Sequence, residues 1–247
     1  MSRIASSAVE RRSLALVFCG VLIPLCVFGA LAEDVWSHQG FGWDVTILRF
    51  VHGFATPARD ALMVAISRVG GAAGVVPLVA AVLLALLMRR RRADALFVAL
   101  AYGGAVALDG VAKALFRSAR PHLWISPSPA SGYGFPSGHA MSAMAFVAAL
   151  AVLAWPTRWR WPVLLLGGLF VGAVGLSRVY LGVHYPSDVL AAWCAALAWV
   201  VGLRLVWSAH PVRRWRGVRI PTGRPASRPV DTEHASGRIE GEGGTTL

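Results

Sequence analysis

Runs of about twenty residues without a charge, punctuated by short clusters of arginine, constrain this chain more than any other feature. Residues 13–32 carry no charge across twenty positions, and residues 69–88 repeat the pattern before stopping against Arg89-Arg90-Arg91-Arg92. At about 1.5 Å of rise per residue, some 20 apolar residues cross a hydrocarbon core of ~30 Å. Backbone polar groups in that core must be satisfied internally, which favours helices throughout. Composition agrees: 56% of the 247 residues are hydrophobic and 15% charged, against about 25% charged in a typical soluble domain.

Taken in order, the pattern predicts an all-α polytopic membrane protein with six transmembrane helices in one bundle. The spans fall at 13–32, 69–88, 95–112, 137–154, 161–179 and 186–205. The first has basic residues before it, as a signal peptide would, but it is long for an h-region and lacks a clear cleavage site before Glu33. It is read as a retained helix. Between the first two spans the chain is mixed. Trp36, Phe41, Trp43, Phe50 and Phe54 suit headgroup depth, and Ile47, Leu48 and Val51 at helical spacing predict a short interfacial helix before the second span. Residues 61–66 are expected to lead into that span.

Residues 1–12 are polar and basic and are expected to form a cytoplasmic N-terminus. Residues 13–207 form the membrane domain, and 208–247, rich in Arg, Pro, Gly, Ser and Thr, are expected to be a disordered cytoplasmic tail. The formal charge of +12 invites a nucleic-acid reading, but the charges cluster between apolar runs, so no nucleic-acid partner is expected. They report topology instead. The N-terminal arginines, Arg89 to Arg92, Arg158 with Arg160, and Arg204 with Arg213 to Arg219 fall on one side of a six-span chain, which the positive-inside rule makes cytoplasmic. Cys19, Cys26 and Cys194 lie within apolar runs, with no metal-type spacing or disulfide framework.

Lys113, Arg117, Arg120 and Arg178 break the charge trend, and they sit near other reactive residues. Lys113, Arg117 and Arg120, at spacings of four and three, share one face of a continuing helix. Arginine forks and a lysine point charge suit phosphate oxygens, although pairing of Lys113 with Asp109 and snorkelling of the arginines would also account for them. Pro136-Ser137-Gly138-His139 reads as a helix start whose amides of Ser137, Gly138 and His139 face an anion. Ser177-Arg178 is followed by His184 and Asp188, four residues apart. Such an aspartate can hold an imidazole in one tautomer and prepare its other nitrogen to attack, or simply make a structural hydrogen bond.

KALFRSARP at 113–121, PSGH at 136–139 and SRVYLGVHYPSD at 177–188 together resemble the tripartite signature of the type 2 phosphatidic acid phosphatases, K-x6-R-P, P-S-G-H and S-R-x5-H-x3-D. The signature extends over about 76 residues, 113 to 188, with every fixed position matched. The resemblance implies that Lys113, Arg120, Ser137, Gly138 and Arg178 bind a phosphate. His184 would be the nucleophile, Asp188 its orienting partner and His139 the acid for the leaving group. It implies no metal and no cofactor. In the six-span topology these groups lie at the extracytoplasmic face of a cell (inner or plasma) membrane. The expected substrate is therefore a membrane lipid phosphate or diphosphate, such as undecaprenyl diphosphate, phosphatidylglycerophosphate or phosphatidic acid. A lipid phosphotransferase and a vanadate-dependent haloperoxidase share this chemistry. The loop 122–135 would cover the site, with Trp124, Tyr133 and Phe135 contacting a lipid chain or anchoring at the interface. Oligomeric state is not legible in the sequence.

Overall fold

A computed structural model describes residues 14–15, 17–37 and 41–209. The expected cytoplasmic N-terminus (1–12) and the tail from residue 210 onward lie outside the described residues. All regular structure among those described is helical: α1 (Phe18–Trp36), α2 (Gly42–His52), α3 (Pro57–Gly70), α4 (Ala72–Met88), α5 (Arg92–Phe116), α6 (Gly138–Ala154), α7 (Arg160–Tyr180) and α8 (Pro186–Ala209). The first turn of α1, Phe18–Leu22, is a π-helix.

Helices α1, α5, α7 and α8 are each long and apolar enough to cross a membrane, and α3 with α4 makes a fifth candidate if the pair, bent by 40°, is one span. The six-span expectation is thus matched only in part. Apolar α6 is 17 residues long, or about 25 Å at the helical rise, close to the lower limit for a span. The expected second span does not begin at Val69. Gly71 is extended (φ −85°, ψ −177°) and separates α3 from α4, because two consecutive glycines give little support to a helix. A short helix, α2, is present where the interfacial helix is expected, whereas residues 61–66 belong to a separate helix, α3. Thr56 caps α3 by accepting from the Arg59 N–H at 3.3 Å, with Pro57 at its first position.

The packing explains why α6 is central. It lies against α5, α7 and α8, and its sequence GHAMSAMAFVAALAVLA offers mainly small side chains, which allow close helix approach where no water drives association. Ala140, Ala143, Ala145 and Ala149 are fully buried, as are Ala191, Ala192 and Ala196 of α8. The outward face is the reverse. Leu165, Leu166 and Leu169 of α7 are 71%, 69% and 72% exposed, a contiguous apolar surface that only lipid would cover.

The chain path also sorts the charges. Helix α5 runs from the Arg89–Arg92 turn towards Lys113, and α7 runs from Arg160 to Arg178. The arginine-rich turns therefore lie at the bundle end opposite Lys113 and Arg178.

Candidate phosphate site

The C-termini of α3, α5 and α7 and the N-termini of α6 and α8 converge on a cavity of about 410 Å³, lined by Ser67, Arg68, Lys113, Arg120, Gly138, His139, Arg178, His184 and the loop Ser128–Ser131. Of the eight residues singled out from sequence, Lys113, Arg120, Gly138, His139, Arg178 and His184 line it. Ser137 and Asp188 lie buried just behind.

The basic cluster is arranged differently from the single helix face expected. Helix α5 ends at Phe116 because Arg117 turns into the left-handed region (φ 46°, ψ 31°), its N–H bonding Lys113 O at 3.1 Å. The Arg117 Nε donates to Ala114 O at 3.2 Å and its side chain takes no part in the cavity. Lys113 stays on the helix, its Nζ 2.5 Å from Asp109 Oδ2. Arg120 reaches the site from the following loop. Its Nε and Nη2 donate to Gly132 O (3.0 Å) and Ser131 O (3.1 Å), while Nη1 donates to Val183 O (2.9 Å). Arg120 thereby staples its own loop to the segment before α8. Burial pushes its guanidinium pKa below the ordinary arginine value, opposed by Asp188 and Asp109.

His184, 1% exposed, has a different environment at each ring nitrogen. Nε2 lies 2.8 Å from Arg120 Nη1 and Nδ1 lies 3.3 Å from Asp188 Oδ2. A guanidinium can only donate, so Nε2 carries the lone pair and Nδ1 carries the proton towards Asp188. The same Asp188 oxygen accepts the Tyr185 N–H at 2.9 Å. Burial first, then Arg120 and Arg178, holds the imidazole well below its ordinary 6.5. The neutral, nucleophilic form is thus the resting one.

At the start of α6, the Ser137 N–H donates to Asp188 O at 3.1 Å, so it is not available to an anion as the sequence suggested. The first-turn amides that follow remain orphans of the helix start. The Ser137 hydroxyl is buried without a hydrogen-bond partner. Gly138 lies tight against the ion pair of α5: a Cβ there would be 2.8 Å from Lys113 Nζ and 2.9 Å from Asp109 Oδ2. Arg178 is 3% exposed, bonded through Nη1 to Ser67 Oγ, with Nε unpartnered. An unpartnered buried N–H and hydroxyl beside a cationic cavity are groups that an incoming oxyanion would satisfy.

Several supporting residues were missed from sequence. Asp44 of α2, 4% exposed, accepts from Ser187 N (2.9 Å) and Ser187 Oγ (2.5 Å), tying α2 to the start of α8. Ser67 holds Arg178. Trp124 stacks on His52 (3.9 Å between centroids, 13° between planes) and covers Gly182, whose φ is +66°. Of the three loop aromatics expected to contact a lipid chain or anchor at the interface, Phe135 belongs instead to the core: it is fully buried and packs on Phe116 and Phe28 at 5.0 and 5.8 Å. No periodicity signals these contacts: Asp44 and Ser67 are polar residues on helices with partners far along the chain, and Trp124 and Phe135 lie in a loop.

Fold and site together define a multi-pass helical membrane protein with a cationic pocket built around a buried His–Asp pair. Residues 94–214 match the model of the PAP2 superfamily. It is 27% identical over 200 residues to an undecaprenyl-diphosphatase of Sulfolobus acidocaldarius, a match covering 78% of this chain and 93% of that protein. Against phosphatidylglycerophosphatase B of Bacillus subtilis it is 29% identical over 149 residues, 57% of this chain and 71% of the relative. The crystal structure of a transmembrane PAP2-type phosphatidylglycerolphosphate phosphatase from Bacillus subtilis superposes with a TM-score of 0.67 at 25% identity, covering 78% of this chain and 98% of that one.

Proposed function

We propose that this protein is an integral-membrane hydrolase that removes phosphate from a lipid phosphate or diphosphate through a phosphohistidine on His184. The observation that carries the reading is His184 itself: neutral, with Nδ1 towards Asp188 and the lone pair of Nε2 at the wall of a cavity lined by Lys113, Arg120 and Arg178.

In the first half-reaction an incoming phosphate takes over the Arg120 N–H that now rests on Nε2, which frees the lone pair. Nε2 then attacks phosphorus. The N–P bond forms as the P–O bond to the lipid breaks, and His139, on the cavity wall, gives its proton to the departing oxygen. Lys113, Arg120, Arg178, the Ser137 hydroxyl and the first-turn amides after it stabilise the charge that builds on the equatorial oxygens. Asp188 supports the positive charge that His184 acquires. In the second half-reaction water attacks phosphorus, His139 accepts its proton, the N–P bond breaks and inorganic phosphate leaves. Three fixed cations supply the charge neutralisation, so the reaction is proposed to need no metal.

The helix order favours six spans, α1, α4, α5, α6, α7 and α8, with α2 and α3 at the interface. Arg89–Arg92 and Arg158/Arg160 at the opposite end of the bundle support, by the positive-inside rule, a cavity at the extracytoplasmic face and both termini in the cytoplasm. The relatives' substrates, undecaprenyl diphosphate and phosphatidylglycerophosphate, fit a site that receives a lipid headgroup from the bilayer. Phosphate release by the detergent-purified protein in EDTA tests the reading. Release that survives EDTA and is abolished by His184→Ala supports it; release that is lost in EDTA, or that persists in His184→Ala, contradicts it.

A further inference from the structure

Arg68 stands apart from the other cations of the cavity. Lys113 is held by Asp109, Arg120 by two loop carbonyls and Val183 O, and Arg178 by Ser67. Arg68 lines the same cavity, is exposed, and has no hydrogen bond or ion pair to its side chain among the described residues. It occupies the last turn of α3, where the helix dipole by itself would repel an anion. Its neighbour in that turn, Gly71, lies directly against the proposed leaving-group acid: a Cβ at Gly71 would be 2.7 Å from His139 Nε2. The end of α3 is therefore the wall of the cavity beside His139. A cavity of about 410 Å³ has the volume of roughly a dozen waters at ~30 Å³ each, more than one phosphate requires.

We propose that Arg68 is a specificity residue that binds a second phosphate of the substrate, on the leaving-group side of the phosphate attacked by His184. This rests on the phosphatase reading above. When the scissile bond of a diphosphate breaks, the second phosphate departs with the lipid and negative charge grows on the bridging oxygen, so Arg68 meets charge that increases towards the transition state. A phosphodiester one glycerol further along keeps its single charge throughout and is held by binding alone, and a substrate with one phosphate gives Arg68 nothing to bind. The second phosphate has two possible sources, the adjacent group of a diphosphate or a phosphodiester one glycerol further along the headgroup.

The test compares wild type, Arg68→Gln and Arg68→Lys on two matched pairs: a polyprenyl diphosphate with its monophosphate, and phosphatidylglycerophosphate with phosphatidic acid of the same acyl chains. Loss of a charge-assisted hydrogen bond corresponds to roughly 10-fold or more in kcat/KM. Arg68→Gln should lower the ratio of kcat/KM for the two-phosphate member over its one-phosphate partner by that factor in at least one pair. Arg68→Lys should restore part of it. A fall in the polyprenyl pair identifies an adjacent phosphate, and a fall in the glycerolipid pair identifies the more distant one. Equal losses within both pairs, or none, overturn the role of Arg68 while leaving the phosphatase reading intact. Absence of phosphate release by wild type from all four lipids overturns both.

Discussion

Substitution of Asp188 by asparagine separates two roles that the geometry assigns to one oxygen. Asp188 Oδ2 accepts both the Tyr185 N–H at 2.9 Å and, on our assignment of the proton, His184 Nδ1–H at 3.3 Å. In Asp188→Asn the amide oxygen has to keep that position, because an NH₂ group there would oppose the Tyr185 N–H donor to donor. The His184 proton therefore stays on Nδ1 and the lone pair on Nε2. What is lost is the negative charge that favours a positively charged His184 in the transition state. A hydrogen bond to a charged group is worth about 1.5–3 kcal/mol, which converts to roughly 10- to 150-fold in kcat. Reversal of the tautomer would be far more damaging, with loss on the order of 10⁴-fold in the serine-protease precedent. Steady-state phosphate release by wild type and Asp188→Asn at equal folded concentration gives the answer. A loss below about 3-fold would refute charge support of His184 by Asp188, and a loss near 10⁴-fold would refute the shared-oxygen argument.

Three further outcomes follow from particular contacts. Because His184 is held below 6.5, mainly by burial and then by Arg120, the acid limb of kcat/KM that it controls should lie below pH 6.5, and Arg120→Gln should move that limb upward. The unfolded chain takes up this proton near pH 6.5 while the folded chain resists it, so the His184 contribution to stability weakens as pH falls below that value; a limb at or above 6.5 in wild type contradicts the assignment. Gly182→Ala places a Cβ 2.5 Å from Trp124 at a φ of +66°, and should lower stability by about 1–2 kcal/mol from the backbone alone, read as a lower melting temperature in detergent. Asp44→Ala leaves the Ser187 N–H and hydroxyl buried without their acceptor; a cost of about 1–3 kcal/mol in stability and a fall in kcat larger than any change in KM are expected.

The parts of the fold that could be read in advance were those governed by periodicity and charge. The apolar runs located α1, α5, α7 and α8 closely, since a ~30 Å hydrocarbon layer imposes their length. The three signature blocks named the side chains that meet at the cavity. Prediction failed where a single backbone conformation decides the path. The extended Gly71 divides the run from Val69 to Met88, and left-handed Arg117 ends α5 before Arg120, so the basic cluster comes from a helix and a loop rather than from one face. Asp44 and Ser67 were invisible for another reason. Their partners, Ser187 and Arg178, are 143 and 111 residues away, and a lone acid or serine in an amphipathic stretch carries no sign of a distant partner. Phe135 reads as an interfacial aromatic from its loop context, yet the turn before Pro136 directs it into the pocket formed by Phe28 and Phe116.

The proposed covalent intermediate is the centre of the account, and direct capture tests it. Protein mixed with a lipid substrate labelled with ³²P at its scissile phosphate, quenched in base on the millisecond scale and mapped by peptide mass spectrometry, should carry an acid-labile, base-stable phosphate on the peptide containing His184. The label should decay at the rate of phosphate release and be absent from His184→Ala. Full turnover with no label at any quench time, or a label on another residue that survives His184→Ala, would contradict the account.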